Sequence, residues 1–491
     1  MFVASSPILQ GFAIGAVTAC RGMEITSRLR EQCANLMNGD STLAASDFNW
    51  EMLTADTKLN WTPCYSGFQC SRLQVPLDYS APQSEFASIA IVRLPSTSPK
   101  SEYRGPILFN PGGPGGSGVD AIVGAGAAFA TVFGPEFDIV GFDPRGVSYS
   151  TPTISFFKTD AECRFLIPSA EVVIYPSLNA SSNAVSKTWC DFGLLGQLAL
   201  QSDTEHHLQH MSTDNIAREM LQLTQAFGFE KLQYWGISYG SVLGAMFATL
   251  FPDKVGRLMI DGFEDMDLLH LRTRGSTSMA VCRHSLTDAT KLASFECQAS
   301  PPPFHLKNFE SYAAIACGDP VPVNDTLAEL EEYWLNTAKV SQFSDLVSIS
   351  RVLCAGYKIH RQGRFQGPVG AQNTSFPLLL VGNTLDPATA RAGALKTSEA
   401  FPGSVVLTQD SVGHTSLVAP SSCTYRHFRT YFLNGTLPAP GTVSRRCGSY
   451  SRPLPTSPQR DDYQVLRSRD YWTPGREISS IMRRVVSCGA L

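Results

Sequence analysis

Apolar and polar positions alternate along two stretches, Phe68 to Leu77 and Phe86 to Leu94, as they do in strands with one face in a core. Proline, aspartate and alanine at Pro76–Tyr79 and Ala81-Pro82 predict a turn between them. The pattern then changes. Pro106 to Asn110, Phe137 to Phe142, Leu232 to Trp235, Arg257 to Asp261, Pro377 to Val381 and Ser404 to Leu407 are short, largely apolar runs, as in strands buried on both faces. Helical spacing fills the gaps: Val119 to Phe133, Asn215 to Phe227 behind a Thr213-Asp214 cap, Ser241 to Phe251, and a closing helix from Tyr425 to Leu433. Strand, helix, strand with short links predicts an α/β fold, a mostly parallel sheet with helices on both faces.

The pattern also divides the chain. Residues 1–60 show no periodicity and read as a leader or loosely packed arm. Residues 61–263 carry the first part of the core, with an irregular excursion over residues 151–210. No strand pattern recurs over residues 264–370, which read as an inserted, mainly helical lid. Residues 371–447 complete the core. The tail, 448–491, is rich in Arg, Ser and Pro and reads as peripheral.

Composition narrows the class. With 491 residues, 43% hydrophobic and 17% charged, the chain has enough apolar surface for a large core. A net charge of −4 leaves no basic footprint for nucleic acid, and no run reaches the length of a membrane span, so no stable membrane insertion is expected. Ten of the thirteen cysteines fall in neighbouring twos, Cys64 with Cys70, Cys163 with Cys190, Cys282 with Cys297, Cys317 with Cys354, and Cys423 with Cys447, although spacing leaves the connectivity open. A bridge between Cys423 and Cys447 would tie down the closing helix. Sequons stand at Asn60, Asn179, Asn324, Asn373 and Asn434. These features point to a secretory route. No Lys or Arg precedes the apolar stretch Ile8 to Ala19, which keeps a cytoplasmic location as the alternative.

The candidate chemistry centres on Gly236-Ile-Ser238-Tyr-Gly240. A strand precedes it and a small-residue helix follows, so Ser238 is expected on a sharp turn with its hydroxyl exposed. Asp386 and His414 follow in the order nucleophile, acid, base, each just beyond a strand. Alone, Asp386 before Pro387 suits a helix cap and His414 an ordinary loop. Three such residues at strand ends converge on the carboxyl edge of a parallel sheet, where a histidine can take the serine proton and a carboxylate can hold the imidazole. This is the arrangement of the α/β-hydrolase fold. The oxyanion is expected to meet the N–H groups of Gly113 and Tyr239.

Gly113-Pro-Gly115-Gly-Ser-Gly118, with Asp143 at the end of the next strand, also outlines a dinucleotide fingerprint. Pro114 removes an N–H that would cradle phosphate, and that reading leaves Ser238, Asp386 and His414 unexplained. His206, His207 and His210 lack a supporting carboxylate or cysteine frame. No metal or cofactor is expected. For a substrate with a free amino end, the acids past Asp261 (Glu264, Asp265 and Asp267) are candidates to bind the ammonium, Glu264 foremost. The plainer role for each is a helix cap facing water.

These motifs resemble the tripeptidyl aminopeptidase-like α/β-hydrolases, relatives of proline iminopeptidase. The resemblance spans about Trp61 to Cys447. It includes Cys70-Ser-Arg-Leu-Gln-Val-Pro-Leu-Asp-Tyr79, Asn110-Pro-Gly-Gly-Pro-Gly-Gly-Ser-Gly118, Gly141-Phe-Asp-Pro-Arg-Gly146, Gly382-Asn-Thr-Leu-Asp-Pro387, Gly413-His414 and Gly435-Thr-Leu-Pro-Ala-Pro-Gly-Thr442. It implies serine hydrolysis of small peptides from a free amino end, without metal. Residues 264–370, which would choose the substrate, match the pattern least. An esterase, lactonase or thioesterase acting on a small-molecule ester, and an inactive fold used for binding, are the competing readings. Oligomeric state is not legible.

Overall fold

The apolar runs pair into one sheet in the computed structural model, which describes residues 48–157, 178, 181–263, 306–339 and 344–445. Its strands are β1 (Thr62–Cys64), β2 (Phe68–Pro76), β3 (Phe86–Leu94), β4 (Gly105–Asn110), β5 (Phe137–Phe142), β6 (Leu232–Ile237), β7 (Val255–Asp261), β8 (Leu379–Leu385), β9 (Val405–Val412) and β10 (Val443–Ser444). They lie in the order β1-β2-β3-β5-β4-β6-β7-β8-β9-β10. β1, β2 and β3 pair antiparallel with one another, and β3 pairs antiparallel with β5. From β5 to β10 each neighbouring pair is parallel.

The helices are α1 (Gly118–Phe133), α2 (Ala184–Ser202), α3 (Thr213–Ala226), α4 (Tyr239–Leu250), α5 (Leu306–Gly318), α6 (Leu327–Ala338), α7 (Ser344–Gly356), α8 (Arg391–Ala400), α9 (Thr415–Val418) and α10 (Ser422–Asn434). They explain why the central strands are apolar throughout. Leu108, Val140, Tyr234, Leu258 and Leu380 belong to one buried cluster with residues of α3 and α4. Their sequence neighbours Phe109, Ile139, Trp235, Met259 and Leu379 belong to a second, with α1 and α10. Side chains alternate across a strand, so a sheet covered on both faces needs apolar residues at both registers. Trp235, just before the Ser238 turn, packs against Phe109, Phe129, Phe133 and Phe428 at ring-centroid distances of 5.1, 4.9, 5.5 and 5.9 Å.

Several expectations need correction. The ordered chain reaches back before Trp61: Trp50 is buried, stacks on Tyr149, and is followed by a bridge from Asp56 to Leu73. β8 and β9 run past the apolar stretches that announced them, because their last residues keep the backbone ladder after the two-sided cover ends. Residues 184–202, read as part of an irregular excursion, form α2. Its buried face is a weak signal of Ala184, Val185, Thr188, Phe192, Leu195, Gly196 and Ala199, broken by glycines and lacking a capping side chain. Thr213 and Asp214 do not cap α3. The Thr213 N–H and hydroxyl donate to Asp319 at 3.0 and 2.5 Å, and Asp214 pairs with Arg361 at 2.5 Å.

Those contacts fasten the segment between β7 and β8, which carries α5, α6 and α7, onto the start of α3. Cys317 and Cys354 bridge α5 to α7, and Cys64 and Cys70 bridge β1 to β2. Cys190 carries an exposed free thiol, and Cys163, Cys282 and Cys297 lie outside the described residues. Cys423 is disulfide-bonded, while Cys447 lies outside the described residues.

Gly196 of α2 and Gly356 of α7 let the two helices pack at backbone distance. A Cβ on Gly196 would stand 2.0 Å from the Gly356 carbonyl oxygen, and one on Gly356 would stand 2.2 Å from that of Phe192. Gly356→Ala is therefore expected to push α2 off α7 and destabilise the chain by about 1–3 kcal/mol. Unchanged thermal unfolding of that variant would contradict the close approach.

Candidate active site

β6 ends at Ile237 and α4 begins at Tyr239, so the whole reversal falls on Ser238, at φ 55° and ψ −125°. A positive φ at serine is strained and persists only where its surroundings over-determine it. Here the Ser238 N–H donates to the Asp261 carbonyl at 3.0 Å. The Ser238 carbonyl accepts the Ser241 N–H at 2.8 Å and the Ser241 hydroxyl at 2.5 Å. The flanking glycines permit the turn: a Cβ on Gly236 would stand 2.2 Å from the Gly240 carbonyl oxygen, and one on Gly240 would stand 2.7 Å from that of Asn110.

The glycine loop after β4 lies on this turn. A Cβ on Gly112 would come within 2.6 Å of the Ile237 carbonyl oxygen, 2.9 Å of Ser238 Cβ and 3.1 Å of the Tyr239 nitrogen. Gly112 and Gly113 hold φ of 92° and 110°. The Gly112 N–H donates to Asn110 Oδ1 at 3.0 Å. Among the described residues, the N–H groups of Gly113 and Tyr239 have no acceptor. Asp143 does not face outward, as a ribose partner would. It accepts the Ser117 hydroxyl at 2.7 Å and the Val119 and Tyr149 N–H groups at 3.1 Å each, and so ties down the loop and the start of α1. Burial, then the charge of Asp120, pushes its carboxyl up to about 7.

Asp386 follows β8, and His414 lies between β9 and α9; both are buried. His414 Nδ1 is 3.1 Å from each Asp386 oxygen and 3.1 Å from Thr389 Oγ1. Asp386 also accepts the Ala388 and Thr389 N–H groups at 2.9 and 2.8 Å, the Thr389 hydroxyl at 2.8 Å and the Thr415 N–H at 2.9 Å. Burial opposes its ionisation, but the His414 charge and these hydrogen bonds outweigh burial and hold its carboxyl below the ordinary range. An acceptor pair at Nδ1 fixes the tautomer with its proton on that nitrogen, which leaves Nε2 able to take a proton.

The structure thus brings Asp386 and His414 into contact. It sets Ser238 on the same carboxyl edge, with β7 between its strand and that of Asp386. Glu264, Asp265 and Asp267 lie outside the described residues. Sequence reasoning missed Thr389, three residues past Asp386. It also missed the acceptor role of Asp261, whose only signal was its place at the end of a strand on this edge.

Comparison with known proteins agrees with this architecture. The alpha/beta hydrolase fold family model matches residues 105–274, and that of the TAP-like protein family matches residues 338–444. Over 220 residues the chain is 36% identical to the tripeptidyl aminopeptidase of Streptomyces coelicolor, covering 44% of this chain and 38% of that protein. Over 216 residues it is 32% identical to the serine protease Hip1 of Mycobacterium tuberculosis, covering 42% and 40%. A 95-residue stretch is 44% identical to carboxylesterase B of Mycobacterium tuberculosis, 19% of this chain and 18% of that one. The chain spans about two-fifths of the length of the two peptidases it matches. By its sheet order, its strand-turn-helix around Ser238 and these matches, the chain is a hydrolase of the α/β-hydrolase fold, similar in sequence to tripeptidyl aminopeptidase and the serine protease Hip1.

Proposed function

We propose that the chain cleaves short peptides from a free amino end through an acyl-enzyme. Ser238 Oγ attacks the scissile carbonyl carbon while His414 Nε2 takes its proton. The carbonyl oxygen gains the negative charge, and the N–H groups of Gly113 and Tyr239 receive it. Collapse of the tetrahedral species breaks the C–N bond, and His414 returns the proton to the leaving amine. A water then repeats the sequence on the ester, releasing the acid and restoring Ser238. Asp386 stays ionised throughout and holds the imidazole. The observation that carries this reading is the double contact of His414 Nδ1 with Asp386 on the sheet edge that bears the strained Ser238.

Substrate class rests on the peptidase relatives, and the short match to a carboxylesterase supports the second reading, an ester hydrolase. The segment between β7 and β8 is proposed as the lid, and Glu264 as the partner of the substrate ammonium. The Cys64–Cys70 and Cys317–Cys354 disulfides support passage through an oxidising compartment. A panel of free and amino-blocked tripeptide amides, with short-chain esters alongside, tests the choice. Free-amine peptides are expected to give the highest kcat/KM, and Glu264→Gln is expected to raise KM for them while sparing neutral esters. Equal cleavage of blocked peptides, or activity on esters alone, would replace the exopeptidase with an esterase.

A further inference from the structure

Asp261 ends β7, the strand between the one that carries Ser238 and the one that carries Asp386. Its side chain is fully buried. A buried carboxylate is costly unless its oxygens are hydrogen-bonded. Both oxygens turn to one residue, Ser416, whose N–H lies 3.0 and 3.3 Å away and whose hydroxyl donates to Oδ2 at 2.5 Å. The Asp261 backbone carbonyl, in turn, accepts the N–H of Ser238. One residue therefore touches the nucleophile's backbone on one side and the second residue after His414 on the other.

The segment it grips needs gripping. Thr415, between His414 and Ser416, sits at φ 63°. A β-branched residue there carries strain on the order of 1–3 kcal/mol and holds only if its neighbours enforce it. Asp386 takes the Thr415 N–H, and Asn383 Nδ2 donates to the carbonyls of Gly413 and Thr415 at 2.7 and 2.6 Å. Asp261 supplies the next anchor along the chain. The titratable groups that feel its charge are Asp386 after β8, His414 after β9 and Tyr425 on α10.

We propose that Asp261 is a positioning residue of the active site: it pins the His414–Ser416 turn beside the nucleophile strand, and its negative charge adds to that of Asp386 in setting the basicity of His414. The proposal rests on the reading of Ser238, Asp386 and His414 as the reacting groups. Burial pushes the Asp261 carboxyl up to about 6 against the bonds from Ser416. The loss of the Asp261 charge therefore falls within the acid limb of the rate profile, alongside protonation of the catalytic base.

Two substitutions move that limb in opposite directions. Asp261→Asn keeps the shape, with Oδ1 accepting the Ser416 N–H and Nδ2 donating to the Ser416 hydroxyl, and removes the charge. Ser416→Ala removes one donor and leaves the charge. The experiment follows the rate of fluorophosphonate labelling against pH in the full chain, for wild type, Ser238→Ala and both variants. Asp261→Asn is expected to label about tenfold more slowly at its plateau, with an acid limb that starts at lower pH and follows a single ionisation. Ser416→Ala is expected to shift the limb to higher pH, because Asp261 then binds its proton more readily.

A purely structural role for Asp261 moves the plateau in both variants and the limb in neither, and that result would overturn the proposal. So would wild-type rates and profiles in both. Labelling of wild type and its absence from Ser238→Ala keep the nucleophile assignment standing in either case. If Ser238→Ala labels like wild type, the assignment itself fails and the Asp261 proposal falls with it. Should Asp261→Asn fail to fold, the direction of the Ser416→Ala shift decides.

Discussion

Ser238→Ala is expected to abolish fluorophosphonate labelling and to lower kcat/KM by about 10⁶-fold, leaving a residual acceleration of about 10³–10⁴ over water from the oxyanion N–H groups and substrate binding. The size of the loss follows from the chemistry. Without the hydroxyl no acyl-enzyme forms, and His414 and Asp386 lose the group they act upon. The fold is expected to remain. Alanine meets the same strain at φ 55° as serine does, and the turn is held by backbone bonds to Asp261 and Ser241 that the substitution leaves in place. Thermal unfolding within about 0.5 kcal/mol of wild type would show this. Labelling of the variant at the wild-type rate would remove Ser238 from the mechanism.

Gly118→Ala is expected to cost the chain more than about 3 kcal/mol, or to prevent folding outright. A Cβ on Gly118 would stand 2.2 Å from the carbonyl oxygen of Phe142, and one on Gly141 would stand 2.0 Å from the carbonyl oxygen of Gly118. Both obstructions are backbone atoms, so no side chain can turn aside. Relief requires α1 to move off β5, and α1 contributes Val119, Ile122, Phe129 and Phe133 to the cluster around Trp235. The same movement would lift the glycine loop from the Ser238 turn, so activity should fall with stability. Chemical denaturation is the measurement, and wild-type stability in Gly118→Ala would show that the helix does not approach the strand this closely.

Gly118 also illustrates how one pattern serves two structures. Glycine at the third position of the loop reads equally as a dinucleotide fingerprint and as a helix laid tightly on a strand. Pro114 already weighs against the first in the sequence, and the path of Asp143 separates them in the structure, because its carboxylate turns back to Ser117, Val119 and Tyr149. α2 shows the reverse case. Residues 184–202 read as irregular because their apolar face is weak and interrupted by Gly193 and Gly196, and the helix stands because Gly356 of α7 offers it a surface at backbone distance.

What the sequence by itself determined were the features set by local periodicity: the positions of β2 and β3 (though both are buried on two faces through their middles rather than half-buried), the apolar central strands, the helices between them, and the turn that carries Ser238. Period and turn chemistry are properties of neighbouring residues, so they survive in a linear reading. The contact of Asp386 with His414, the part taken by Thr389, the return of Asp143 to its own loop and the grip of Asp261 on Ser416 were decided only by the tertiary structure. Each joins residues on different strands or loops, and a buried polar group chooses its partner by which neighbour the sheet order sets within hydrogen-bond distance.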